Sequence, residues 1–138
     1  MSRFFRAFIA VNVVMVVLDL IWLGIVAQPI YNEALGALRA QETVLIAAVL
    51  FYLQYVVVIV FYAVLPSIDW RQAARRGAGV GWVAYATYEL TNWAVIEGWP
   101  AILVPIDIAW GLALTTLVAT AGRLAAGPLA IDVQPAVD

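Results

Sequence analysis

The chain has 138 residues, 66% of them hydrophobic and 12% charged, with a net charge of −2 and no cysteine, histidine or lysine. A soluble domain carries about a quarter charged residues, so this composition belongs to a membrane protein with room for one compact bundle. It excludes a nucleic-acid partner for want of a basic patch, and with it disulfides, thiolate nucleophiles, iron–sulfur clusters, imidazole ligation of haem or zinc, and Schiff-base cofactors.

A bilayer core needs about 20 apolar residues per helix. The first such segment is 5–27, preceded by Arg3 and Arg6. These arginines would also suit a signal peptide, but the apolar stretch is too long for one, IVAQP is a poor cleavage site, and Asp19 lies in its middle. Residues 29–42 are too polar to span. Pro29 suits a first helical turn, and Tyr31, Leu35 and Leu38 recur at helical spacing, which predicts a short interfacial helix. A second span covers 43–65 and ends at Pro66. A loop with Arg71, Arg75 and Arg76 leads to a third span, 77–97, which Gly98 and Pro100 separate from a fourth, 102–122. The fold predicted is an all-α bundle of four transmembrane helices within residues 1–125, with 126–138 as a disordered cytoplasmic tail. Six of the seven arginines flank one side of these spans and only Arg39 the other, which places both termini in the cytoplasm.

Three carboxylates interrupt the apolar runs: Asp19, Glu89 and Asp107. Each costs roughly 2.5–3.5 kcal/mol or more at bilayer depth, so such residues face a bundle interior and mark function. At 1.5 Å rise per residue, Asp19 and Glu89 fall ~3 Å outside the midplane and Asp107 roughly 7 Å outside it. Three acids on three helices thus share one layer in the outer half.

Helical neighbours extend the site. Asn12, Met15, Asp19 and Trp22 form one stripe; Gly81, Tyr85, Glu89 and Asn92 a second; Asp107, Trp110, Gly111 and Leu114 a third. Tyr88 adjoins Glu89, and span two contributes Gln54 flanked by Tyr52 and Tyr55. Tyr85, Tyr88 or Asn92 is expected within hydrogen-bonding reach of a carboxylate. The bland alternative is that protonated acids merely tie helices together, work suited to Asn12, Gln54, Thr87 and Thr91. A D-x-x-W pattern occurs twice, at Asp19–Trp22 and Asp107–Trp110, which suggests an inverted duplication. The GAGVG stretch at 77–81 follows no strand, so it reads as a helix-packing face and not as a phosphate loop.

The runs Asp19-Leu-Ile-Trp-Leu-Gly24, Tyr31 with Leu35-Gly36, Phe51-Tyr52, Tyr85 to Asn92, and Asp107-Ile-Ala-Trp-Gly111 resemble the predicted bacterial membrane proteins catalogued as domain of unknown function 2177. The likeness runs in order over about residues 5 to 122; Glu89 stands where that family often has aspartate. The resemblance implies a four-helix inner-membrane protein with no assigned activity. Relatives tend to be encoded near enzymes that modify membrane fatty acids, an association that tilts the expectation towards lipids without showing a mechanism.

Three functions follow. The first is an enzyme acting on a membrane lipid or isoprenoid. In it an apolar site keeps a carboxyl protonated for acid–base work by Glu89 with Asp19 and Asp107, while Tyr85, Tyr88, Asn92, Trp22, Trp110, Asn12, Gln54 and Tyr55 bind the substrate. The alternative for the same acids is a hard divalent cation, though the residues call for no metal or cofactor outright. The second is a proton-linked transporter or channel-like homo-oligomer packed through Gly77, Gly79 and Gly81. The third is a lipid-binding accessory subunit.

Overall fold

The computed structural model describes residues 1–40 and 42–128 of the chain, and helices form every regular element among them. Helix α1 spans Arg3–Ile21, with Ser2 accepting from the Phe5 amide at its N-terminus. It continues as a π-helical turn, Trp22–Val26. A short helix α2, Gln28–Leu35, follows and tightens into a 3-10 turn, Gly36–Leu38. Helix α3, Leu45–Val58, also ends in a π-helical segment, Ile59–Val64. Helices α4, Trp70–Val95, and α5, Leu103–Ala126, complete the fold.

Three of these are long and apolar enough to cross a membrane: Arg3–Val26, Leu45–Val64 and Leu103–Ala126. Helix α4 has 26 residues, ample length at 1.5 Å rise each, but its arginines and small residues lower its hydropathy. It begins seven residues before the expected span. Residues 70–76, expected as loop, are its first two turns, because Asp69 caps them by accepting from the Gln72 amide at 2.7 Å. The expected tail, 126–138, lies outside the described residues beyond Pro128.

Helix α5 is the centre of the bundle, packed against α4, α1 and the end of α3. Its closest neighbour is α4, for a steric reason. A Cβ at Gly81 would overlap the Gly111 carbonyl oxygen, and one at Gly77 would lie 2.7 Å from the Ala119 Cβ. Small residues thus let the two backbones approach. Gly77 and Gly81 are therefore used up within the chain and do not form the oligomer face expected of them, whereas Gly79 meets nothing.

Six of the seven arginines, all but Arg39, lie at the end opposite the acids, and three of them cap helix C-termini. Arg3 donates to the Leu65 carbonyl at 3.1 Å and Arg6 to that of Ala126 at 2.7 Å. The buried Arg123 donates to the Ser67 and Gly127 carbonyls, both at 2.8 Å. Many large apolar side chains face outward, among them Leu20, Ile25, Ile46, Leu50, Val83 and Leu117. This is the surface of a protein solvated by lipid tails.

Candidate functional site

The buried stripe of α1 is Ala7, Val11, Met15 and Asp19, four residues apart, so one helical face carries Asp19 inward. The same spacing in α4 aligns Gly77, Gly81 and Glu89, and in α5 it aligns Asp107 with Gly111 and Thr115. All three acids are buried: Asp19 at 5% exposure, Asp107 at 7% and Glu89 at 0%. They line one cavity of about 340 Å³ at the end of the bundle where α1 and α4 finish and α5 begins.

Of the other residues picked out by spacing, Trp22, Tyr85, Tyr88 and Trp110 line this cavity too. Tyr55 sits one layer below, buried, with its hydroxyl paired to that of Thr115 at 2.7 Å and its ring 6.4 Å from that of Tyr85. That pair is the interhelical polar tie expected of Asn12, Gln54, Thr87 and Thr91. Asn12 donates instead to the Phe8 carbonyl of its own helix at 2.8 Å, and Thr91 to carbonyls of its own helix. Gln54 is exposed and lines separate grooves between α3 and α4. Asn92 lies off the cavity wall. Asn12, Gln54 and Asn92 are thus outside the site, because each points to the flank of its helix.

The carboxylates find their donors in other places than expected. Tyr52 donates to Asp19 Oδ2 at 2.9 Å and the Trp110 indole approaches Oδ1 at 3.4 Å. Tyr31 donates to Asp107 Oδ1, and Trp99 to Glu89 Oε2 at 3.0 Å. Tyr85, Tyr88 and Asn92 make none of these bonds. Tyr31 comes from α2 and Trp99 from the turn before α5, where Gly98 adopts φ +78° and swings the chain back over Glu89. No helical period links either residue to the acids.

Glu89 Oε1 is buried and receives no donor. Asp107, also buried, lines the same cavity as Glu89. No group of three acidic side chains among the described residues is spaced to hold a metal ion. Tyr31 stands outside the apolar spans. Its burial, and then its bond to Asp107, push its phenol above the usual tyrosine range.

The π-helical turn at Trp22–Val26 shifts the helical register at the cavity, as such turns do at functional sites. The rim is exposed at Phe51 and Tyr88. Those two residues, with Tyr85, also line an apolar groove that runs between α3 and α4. The cavity therefore opens sideways, between helices.

The chain belongs to the family described as predicted membrane protein (DUF2177), which matches residues 4–124. Its helices fit that membership: the apolar segment Leu45–Val64 lies inside the matched region, and Arg3–Val26 and Leu103–Ala126 pass its ends by one or two residues. No curated protein and no solved structure matches the chain significantly.

Proposed function

We propose that this is a four-span protein of the bacterial inner membrane that holds a lipid or isoprenoid in the carboxylate and aromatic cavity. In this reading α4 is the remaining span, α2 lies at the outer interface, and both termini and the 65–69 turn face the cytoplasm. The arginine distribution supports that orientation: Arg3, Arg6, Arg71, Arg75, Arg76 and Arg123 sit at one end of the bundle and Arg39 at the other. The cavity then lies in the outer half of the bilayer.

The observation that carries the ligand class is the sideways opening. A 340 Å³ cavity with acids at its back and an apolar groove at its mouth fits an amphiphile with its polar end inside and its chain along α3 and α4. Mass spectrometry of the protein purified in a mild detergent tests it. One lipid or isoprenoid species should be retained by the wild type and by Leu117→Ala on the outer face, and lost from Glu89→Gln. Retention of an unselected lipid mixture by all three refutes it.

A second reading is favoured by the gathering of three buried carboxyls in one cavity: acid–base chemistry on the bound molecule, or proton-linked movement of it. A carboxyl that holds its proton gives a protonated-carboxyl stretch in the infrared at neutral pH, removed or shifted in Glu89→Gln. Absence of that band sinks the proton-transfer reading and leaves a binding protein.

A further inference from the structure

Every carboxyl of the cavity is approached by hydroxyl or indole donors: Tyr52 and Trp110 donate to Asp19, Tyr31 to Asp107 and Trp99 to Glu89. Donors of this kind suit carboxylates. No arginine lines the cavity, and the chain has no lysine or histidine. Glu89, wholly buried, still has an oxygen without a donor. Buried charge without a partner is costly, so the counter-charge is left for a ligand to bring.

The other walls are suited to that charge. Trp22 and Trp110, with Tyr31, Tyr52, Tyr85 and Tyr88, surround the acids with ring systems. Aromatic faces attract cations through their quadrupoles, most strongly where water is excluded, and such cages take ammonium groups. A phosphate or sulfate head would meet carboxylates here and no basic side chain.

We infer that the polar end of the ligand is an ammonium group, primary or quaternary, seated between the carboxylates and the aromatic walls, with its hydrocarbon chain leaving past Phe51 and Tyr88. This rests on the proposed amphiphile cavity and narrows its occupant to cationic amphiphiles.

The test compares two probes that differ in one atom. Dodecyltrimethylammonium and its uncharged carbon analogue, a chain ended by a tert-butyl group, are titrated into the full chain in maltoside micelles while tryptophan fluorescence is followed. The cationic probe should bind about tenfold or more tighter than the neutral one, the order expected of a desolvated cation–aromatic site. That preference should fall to near unity in Glu89→Gln and in Asp19→Asn. The comparison in the wild type decides the matter even if a variant fails to fold. Equal binding of both probes overturns the ammonium inference and leaves the amphiphile cavity standing. Binding of neither overturns both. A preference that survives both substitutions in folded protein also overturns it, because the cation then sits elsewhere.

Discussion

Trp22 and Trp110 stack with ring centroids 4.4 Å apart and planes 6° from parallel. Each ends a D-x-x-W motif, one on the outgoing α1 and one on the returning α5, and Trp110 turns its indole N–H towards Asp19 of the other motif. The two motifs therefore meet as a pair, and the stack fixes the distance between α1 and α5 at the cavity.

A double-mutant cycle of Trp22→Leu and Trp110→Leu should give a coupling energy of about 0.5–1.5 kcal/mol, the amount aromatic pairs contribute beyond area burial. Unfolding in mixed micelles followed by circular dichroism measures it. Strict additivity means the rings merely lie side by side.

The glycines of α4 should separate sharply. Gly81→Ala forces α4 from the Gly111 carbonyl and should destabilise the bundle by roughly 1–3 kcal/mol, as overpacking does. Gly79→Ala meets open space and should be neutral or stabilising by up to about 1 kcal/mol, the helix propensity difference. The same unfolding assay reads both, and equal effects would contradict the close contact of α4 with α5.

The convergence of Asp19, Glu89 and Asp107 was legible because helical rise converts sequence position into depth, and burial cost forces acids inward. Which polar neighbour joins them was not legible. Period alone cannot say whether Gln54 or Asn92 sits on the inner face or a quarter-turn off it, since both flanks of a stripe satisfy the same spacing. Tyr31 and Trp99 were hidden for another reason. They lie on connecting segments, and only the geometry of α2 and the Gly98 turn brings them back over Asp107 and Glu89. The early start of α4 was missed because arginines suggest a loop, while Asp69 is the stronger local signal.

Orientation can be checked with reporters. Insertions within residues 66–68 and beside Arg39 should report opposite compartments, with the former cytoplasmic, because six of seven arginines share its end. The same compartment for both would contradict an odd number of crossings between them.

Tyr31 should resist alkali. Burial and the Asp107 bond raise its phenol above the ordinary value near 10, so it stays neutral where free tyrosines ionise. Ultraviolet titration through that range should give the same phenolate amplitude for wild type and Tyr31→Phe. A smaller amplitude in the variant would show that Tyr31 titrates normally and lacks this contact.

The central claim is that the cavity selects one amphiphile from the bilayer, and photocrosslinking in intact membranes tests it most directly. A benzophenone side chain replaces Tyr88 at the cavity mouth or, for comparison, Leu117 on the lipid-facing side of α5. Mass spectrometry then identifies the lipid attached to each. The adduct at position 88 should be dominated by one species, while the adducts at 117 follow the composition of the membrane. Adducts at 88 that mirror bulk lipid as closely as those at 117 would contradict it.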